Sequence, residues 1–241
     1  MQKGVVVEIC VESVAAAVAA QSGGAHRIEL CCDLPVGGLT PSDELMRQTR
    51  EHVSAPIYAM IRPRAGDYCY SDSEFKLMEQ QIDRAKSLNM DGVVLGILTD
   101  RAKVDVHKTR RLVQLAHPLP VTFHRAFDEI ADPLSALEDV ICTGATRLLT
   151  SGGRNGVVTS LHALAKLHTK SQERIIIIPG GGVNEQNVGQ VIRETRATEI
   201  HSALRSAESA SSQLQPTFED RVRTLVEKAT RYKREEAAAR S

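Results

Sequence analysis

The segment Val121–Asp128 ends in three ionisable side chains that directly follow an apolar stretch. Its residues, VTFHRAFD, begin as a buried strand would and then place His124, Arg125 and Asp128 within five positions. A strand does not need these groups for packing, and each is costly to bury unless it is paired. We therefore expect the segment to deliver acid–base and anion-binding groups to one face of the fold.

Other chemically capable side chains stand at the ends of further strand-like stretches: Glu8, Cys10, Glu29, Cys31, Arg62 and His201. Side chains alternate between the two faces of a strand, so an inward Glu8 would bring Cys10 inward, and an inward Glu29 would bring Cys31. Two carboxylates and two thiols would then meet from neighbouring strands, and Arg62, His201 and either His124 or Arg125 would close a ring. Opposite charges in such a ring can pair with one another.

The ring has a purely structural alternative. Glu–Arg pairs can fill a protein interior as salt bridges with no chemistry attached, and a free cysteine packs like a small apolar residue. Because polar groups recur at the same end of strand after strand, we favour a functional site for the set as a whole.

The histidines and cysteines lack the short paired spacings of structural zinc motifs, and no HxxxH or HExxH occurs. A site made from the thiols of Cys10 and Cys31 would suit a soft monovalent ion such as Cu(I). The spacing of the residues alone does not establish this metal site.

Two glycine-rich turns predict an anion site. They are Ser151-Gly152-Gly153 and Gly180-Gly181-Gly182, and glycines let backbone amides approach an anion closely. Barrel proteins often bind phosphate in the loops after strands seven and eight. We expect Gly181, Gly182 and Ser202 to bind phosphate, with Ser151 and Gly152 beside them, although a triple glycine can also serve only a tight turn.

The elements that must position these groups repeat in a strand-then-helix order. Strand-like stretches begin about 22 to 35 residues apart, roughly one βα unit, and cover 5–9, 27–31, 57–62, 92–96, 121–125, 146–150, 175–179 and 198–202. Amphipathic stretches between and after them predict helices over 11–20, 43–52, 72–88, 106–116, 133–143, 157–168, 184–195 and 218–232. Pro133 suits a first helical position and Gly144 suits the residue that ends a helix.

Eight βα units without a break in composition predict a single α/β domain over 1–241, a (β/α)8 TIM barrel. Continuously apolar strands such as Ile175–Ile178 are typical of a parallel sheet buried on both faces. A doubly wound open sheet is the alternative, but it would leave two edges to protect. Residues 205–216 are expected to form a mobile loop and 233–241 a charged tail.

Composition excludes several classes of protein. The 30 basic and 30 acidic residues of the 241 cancel, so the charge expected of a nucleic-acid-binding protein is missing. No apolar run approaches the length of a membrane span, and no signal-peptide core follows Met1. We expect a cytoplasmic protein whose five cysteines are free thiols.

Many of these residues belong to longer motifs that occur in order along residues 4–203: EICVES (8–13), GGAHRIELC (23–31), GGLTPS (37–42), MIRPRAGD (60–67), TFHRAFD (122–128), RLLTSGG (147–153), PGGGV (179–183) and IHS (200–202). With these motifs the chain resembles the CutC family of copper homeostasis proteins. The resemblance implies a cytoplasmic barrel linked to copper tolerance, usually a homo-oligomer such as a dimer or tetramer, with Cu(I) bound by Cys10 and Cys31.

Two further hypotheses stay open beside copper binding. One is an enzyme that isomerises or cleaves a small phosphorylated or carboxylated metabolite and needs no organic cofactor. In that enzyme His124 or His201 would be the general acid or base, Glu8 and Glu29 would act as base and orienting group, and Arg62 and Arg125 would hold the anionic substrate. The other is a scaffold in which the polar ring is only structural.

Overall fold

The computed structural model describes residues 4–204 and 216–238 of the chain, with side chains described as far as Tyr232. Its strands are β1 Val6–Val11, β2 Arg27–Leu30, β3 Ile57–Met60, β4 Gly92–Leu95, β5 Val121–Phe123, β6 Arg147–Thr150, β7 Ile176–Pro179 and β8 Glu199–Ser202. Its α-helices are α1 Val14–Ser22, α2 Asp43–His52, α3 Asp72–Ser87, α4 Val106–Ala116, α5 Pro133–Thr143, α6 Leu161–Ser171, α7 Val188–Thr195 and α8 Phe218–Ala238.

All the strand pairs are parallel, and the strands follow one another in the order β7-β6-β5-β4-β3-β2-β1-β8. The two ends of this order lie side by side, because a Cβ atom built on Gly180 after β7 would be 3.3 Å from Cβ of His201 in β8. The sheet is therefore a nearly closed barrel ringed by helices. This confirms the predicted (β/α)8 fold. In this fold the carboxyl ends of all the strands lie at the same end of the barrel.

Local sequence signals explain where most helices begin and end. Ser13 and Ser42 accept hydrogen bonds from backbone amides at the starts of α1 and α2, and Ser71 forms a reciprocal capping box at the start of α3. As predicted, Pro133 opens α5, and Gly144 ends it in the left-handed conformation.

Several predicted boundaries were wrong by a few residues, most importantly at β5. This strand stops at Phe123 instead of residue 125, because His124 accepts a hydrogen bond from the amide of Ala126 and starts a 3-10 turn over Arg125–Glu129. The predicted helix over 157–168 is a 3-10 turn, Val158–Ser160, followed by α6. The helix predicted from residue 184 begins at Val188.

The interior of the barrel is polar at the amino-terminal ends of the strands. Arg27 pairs with Glu8 at 2.5 Å and also with Glu199, which binds Arg147 at 3.1 Å. Both guanidinium groups lie over the ring of Tyr58, at 4.9 and 5.4 Å from its centre. These Glu–Arg pairs are salt bridges of the structural kind that the sequence offered as an alternative. They fill the interior of the barrel beneath the carboxyl ends of the strands.

The apolar core lies between the strands and the helices. Outward residues of the strands, including Val7, Ile9, Ile28 and Leu30, are fully buried there. Residues 205–215 of the predicted loop lie outside the described residues. Residues 233–238, expected to be part of a tail, continue the backbone of α8. None of the helices in the described ranges is both long enough and apolar enough to span a membrane.

Candidate functional site

The carboxyl ends of the strands open into a cavity of about 700 Å³, which we call the mouth. Nine of the residues singled out from the sequence line it: Cys10, Glu29, Arg62, His124, Arg125, Asp128, Gly181, Gly182 and His201. Five others do not line it: the buried Glu8, Cys31, Ser151 and Ser202, and the partly exposed Gly152. The mouth therefore gathers side chains from both halves of the chain.

The thiols of Cys10 and Cys31 meet at one side of the mouth. Their Sγ atoms are 3.5 Å apart, and both residues are buried. The hydrogen bond that the Cys10 thiol donates to Cys31, together with burial, raises the pKa of Cys10 well above its usual range, so Cys10 is a protonated thiol near neutral pH. Gly38 packs on Cys31, because a Cβ atom there would lie 3.3 Å from the Cys31 sulfur.

Glu8 and His201 form a buried ion pair next to the thiols. Nδ1 of His201 lies 2.7 Å from Oε1 of Glu8. Burial opposes ionisation of Glu8, but the charges of Arg27 and His201 outweigh it and hold its pKa at about 2. Burial also opposes protonation of His201, and the carboxylates of Glu29 and Glu8 nevertheless raise its pKa. Glu8 therefore orients His201 and favours its protonated form. Glu8 itself does not line the cavity.

Glu29 is the least satisfied carboxylate of the mouth. It is 2% exposed, and its Oε2 atom has no hydrogen-bond partner among the described residues. Burial raises its pKa, and the nearby Glu8 adds to this effect. Its Oε2 is 3.9 Å from Nδ1 of His201, and one ligand atom each from Cys10, Glu29 and His201 lie within 4.8 Å of one another. These three residues are a potential set of metal ligands.

His124 is held neutral on the opposite wall. Its Nδ1 accepts a hydrogen bond from the amide of Ala126 at 3.3 Å, so the other nitrogen, Nε2, carries the proton. That nitrogen is buried and has no partner in the described part of the chain. Burial and then the charge of Arg62 lower the pKa of His124 to about 3. At neutral pH this residue can donate a hydrogen bond, but it is a poor base.

Arg62 joins two loops of the mouth. One of its terminal nitrogens donates to the carbonyls of Val36 and Gly38, and the other donates to the carbonyl of Gly66. Its guanidinium also lies 4.8 Å from the centre of the Tyr68 ring. Arg62 therefore has only Nε left without a partner, and the bidentate grip on a substrate that we expected would require it to release the loops.

Asp128 is saturated by the groups around it. It accepts hydrogen bonds from Nε of Arg125 at 2.7 Å, from the hydroxyl of Thr150 at 2.5 Å and from the amide of Ser151 at 3.0 Å. It thus fixes Arg125, whose side chain is 44% exposed, at the rim of the mouth. This network makes Asp128 an anchor, with no oxygen left over for a substrate.

The groups predicted to bind phosphate divide into two sets. The Ser151 hydroxyl is bonded to Asp128, the Gly152 amide to Thr150, and the Ser202 hydroxyl to the carbonyl of Val183. By contrast, the amides of Gly181, Gly182 and Val183 have no acceptor in the described residues, and the two glycines have φ values of +79° and +108°. The first set is used internally, and the second is available to a ligand.

Val183 and Tyr68 are among the lining residues of the mouth that sequence reasoning missed. The amide of Val183 extends the row begun by the two glycines, and the Tyr68 ring lies between Arg62 and His124, 5.0 Å from the latter. A backbone amide carries no signal in a residue type, and Tyr68 sits in an irregular loop where no periodicity points to it.

The fold and the mouth together define a parallel α/β barrel with buried thiol, carboxylate and imidazole groups at its open end. Residues 5–206 match the profile of the CutC family. A mouse protein named copper homeostasis protein cutC homolog is 43% identical over 204 residues, 85% of this chain and 75% of the relative. A CutC family protein of Vibrio vulnificus (strain CMCP6) is 45% identical over 202 residues, 83% of this chain and 81% of the relative.

Solved structures agree with this assignment. The crystal structure of a CutC protein from Streptococcus agalactiae superimposes with a TM-score of 0.79 at 32% identity and covers 83% of this chain and 98% of that one. N-(5'-phosphoribosyl)anthranilate isomerase from Pyrococcus furiosus, at 15% identity and a TM-score of 0.60, covers 94% of this chain and 99% of its own and shares the fold alone. The chain belongs to the CutC family.

Proposed function

We propose that this protein acts in copper homeostasis in the cytoplasm and binds Cu(I) at the mouth through Cys10 and Cys31. The observation that carries the proposal is the 3.5 Å separation of the two buried sulfur atoms. Soft thiolate ligands select Cu(I) over hard cations. The relatives named as copper homeostasis proteins in mouse and human support the same assignment.

Competition for Cu(I) tests this proposal. The purified chain is titrated under reducing, anaerobic conditions against a coloured Cu(I) chelator, alongside the Cys10→Ala, Cys31→Ala double variant. The double variant should lose Cu(I) affinity by at least about tenfold, or about 1.4 kcal/mol. A variant of two exposed cysteines, Cys69→Ala with Cys142→Ala, is the matched control. Equal affinity in the wild type and the Cys10/Cys31 variant would refute the assignment.

The cytoplasmic location is supported by the state of the cysteines. All five are free thiols, although two of them lie close together, and disulfides persist mainly in oxidising compartments. Fractionation of cells that express the tagged chain should recover it with cytoplasmic markers. Recovery with an exported fraction would contradict this part of the proposal.

A second candidate function is the binding and turnover of a small phosphorylated or carboxylated metabolite. The specific observation is the row of three unbonded amides at Gly181, Gly182 and Val183. The guanidinium of Arg125 lies directly over this row, because a Cβ atom on Gly181 would be 2.9 Å from its central carbon. Consecutive amides in such a turn form an anion-binding concavity, and Nε2 of His124 offers a further donor inside the same mouth.

Thermal-shift screening with phosphate, phosphate monoesters and small carboxylates tests the second candidate. At least one anion should raise the melting temperature of the wild type, and Arg125→Gln should reduce that rise. Arg154→Gln, another arginine at the rim whose side chain is 70% exposed, is the control. If no anion in the library stabilises the wild type, this candidate is left without support.

A further inference from the structure

We infer that Cys10, Glu29 and His201 form a binding site for a divalent ion of the zinc class, separate in its ligand set from the proposed two-thiol Cu(I) site. The three residues come from β1, β2 and β8, which are neighbours in the barrel. The inference goes beyond Cu(I) binding and would stand without it. The two sites share only Cys10, so occupation of one excludes occupation of the other.

Distances allow all three residues to bind one ion. Their ligand atoms, with either ring nitrogen of His201 counted, lie within 4.8 Å of one another. A tetrahedral zinc ion with bond lengths of about 2.0–2.3 Å separates its ligands by about 3.3–3.8 Å. The most distant of these atoms therefore need to approach by about 1.0–1.5 Å, a movement that rotation of the side chains would supply on binding. The remaining position of the ion would face the mouth, which these residues line.

The Oε2 atom of Glu29 has no hydrogen-bond partner among the described residues, which indicates that the site lacks a cation. A buried carboxylate oxygen without a hydrogen bond is costly, and Oε2 of Glu29 is in this position, with no partner among residues 4–204 and 216–238. Nδ1 of His201 is 3.9 Å from this oxygen, which is within the range of an ion pair but too far for a hydrogen bond. A cation bound between the three groups would remove this cost.

His201 already has the support that metal-binding histidines typically have. Such a histidine usually gives its second ring nitrogen to a carboxylate, which fixes the orientation of the ring. Glu8 holds Nδ1 of His201 at 2.7 Å, and Arg27 in turn holds Glu8 at 2.5 Å. Among the described residues, the hydrogen bond and the ion pairs of His201 all use Nδ1, which leaves Nε2 for an ion. A supporting layer therefore stands behind the proposed ligand.

The chemistry of the ligands selects the class of ion. One sulfur, one nitrogen and one carboxylate oxygen form a mixed set that suits Zn²⁺ and similar divalent ions, whereas two thiols suit Cu(I). A thiolate and a carboxylate also balance the two charges of the ion, so the buried complex would be close to neutral. Three protein ligands and one open position are the arrangement of zinc sites that accept a further small ligand.

Paired metal titrations of the full chain test the inference. The metal-free protein is titrated with Zn²⁺ against a coloured chelator, and separately with Cu(I) as above. Glu29→Gln and His201→Gln should each weaken Zn²⁺ binding by at least about tenfold, whereas Cys31→Ala should not weaken it. Glu129→Gln, a carboxylate of the rim outside the ligand set, is the matched control.

Cobalt spectroscopy provides a second readout that does not depend on the stability of the variants. Co²⁺ bound to wild type should give the sulfur-to-metal charge-transfer band and the visible bands of a tetrahedral site. The charge-transfer band should vanish in Cys10→Ser and persist in Cys31→Ala. Melting temperatures of all variants establish that they are folded.

The outcomes separate the two metal sites. Absence of Zn²⁺ and Co²⁺ binding by wild type, or unchanged Zn²⁺ affinity in folded Glu29→Gln and His201→Gln, would overturn the divalent site. Loss of Cu(I) binding in Cys31→Ala with Zn²⁺ binding retained would support both sites. Zn²⁺ binding that depends on Glu29 and His201, together with Cu(I) binding indifferent to Cys10 and Cys31, would sustain the divalent site and refute the copper site.

Discussion

The two histidines of the mouth show how surroundings give one residue type two opposite properties. His201 lies between two carboxylates, which raise its pKa despite burial. His124 is equally buried but has an arginine nearby and a backbone amide as donor, so its pKa falls to about 3. The sequence made them equal candidates for acid–base chemistry, whereas the structure favours the protonated form of His201 and keeps His124 neutral.

The neutral state of His124 predicts an acid-sensitive stability. As the pH falls below 6.5, the unfolded chain takes up a proton at this histidine before the folded chain does, because the folded pKa is about 3. Its contribution to the free energy of unfolding is therefore complete above pH 6.5 and is lost as the pH falls from 6.5 toward 3. The loss should be about 1.4 kcal/mol per pH unit.

Urea unfolding at pH values from about 7.5 to 5 measures this slope. His124→Gln removes the group and should make the slope shallower, whereas the same change at the exposed His52 should leave it as in wild type. A slope that His124→Gln does not alter would mean that the pKa of His124 is the same in the folded and the unfolded chain.

At the scale of elements, the loops at the mouth are joined by a few side chains that serve more than one strand. Arg62 connects the loop after β2, through Val36 and Gly38, to its own loop after β3, through Gly66. Asp128 connects the turn after β5 to the end of β6. These connections explain why several polar residues of the mouth are not free to act on a ligand.

We expect Arg62→Lys to loosen both loops. Lysine has no planar fork, so it cannot keep donors on all three carbonyls, and hydrogen bonds from a charged group contribute about 1.5–3 kcal/mol. Amide hydrogen exchange should accelerate in residues 33–40 and 62–68, with little change in α5 or α6. Uniform acceleration throughout the chain would indicate global destabilisation instead of local opening.

The second prediction at the scale of elements concerns the turn after β7. Gly181 has a φ of +79°, and a Cβ atom there would lie 2.9 Å from both the Arg125 guanidinium carbon and Cβ of Ser151. Gly181→Ala should therefore displace Arg125 and weaken the proposed anion binding by at least about tenfold, measured by calorimetric titration with whichever anion stabilises wild type.

Gly66→Ala is the control for this experiment. Its φ is +92°, so it carries a similar backbone cost, but the nearest atom to its added Cβ is 3.6 Å away. It should lower the melting temperature without changing anion affinity. Equal losses of affinity in the two variants would argue that backbone strain, and not the position of Arg125, controls binding.

At the scale of the whole molecule, α8 completes the ring of helices by packing on both α1 and α7. The fit at α1 depends on Gly23, since a Cβ atom there would lie 2.7 Å from the carbonyl of Glu219 and from Cβ of Val222. Gly23 has an ordinary φ of −74°. A larger residue would therefore disturb only the packing of α8 and not the local backbone.

Gly23→Ala should destabilise the chain by about 1–3 kcal/mol, the usual range for inserting a methyl group into a close-packed contact. Chemical denaturation measures the change, and Gly4→Ala, with nothing within 4 Å of the added atom, should have no effect. A wild-type free energy of unfolding in Gly23→Ala would mean that α8 can shift outward at no cost.

The sequence by itself determined the repeating elements and the inward set of side chains. Alternation along β1 and β2 placed Glu8, Cys10, Glu29 and Cys31 on one face, and the residues that cap α2, α3 and α5 fixed where those helices start. Both signals are local: they depend on residues a few positions apart, whose geometry follows from a strand or a helix alone.

Only the tertiary structure decided which of those groups are free. Closure of the barrel brings β8 beside β1 and so places His201 against Glu8 and Glu29, about 170 to 190 positions away in the chain. It also saturates Asp128, Ser151 and Ser202 with hydrogen bonds, while Oε2 of Glu29 and the amides of Gly181 to Val183 have no hydrogen-bond partner in the described part of the chain. A side chain's type states what it can bind, but its pairing and its pKa depend on neighbours that only the closed barrel supplies.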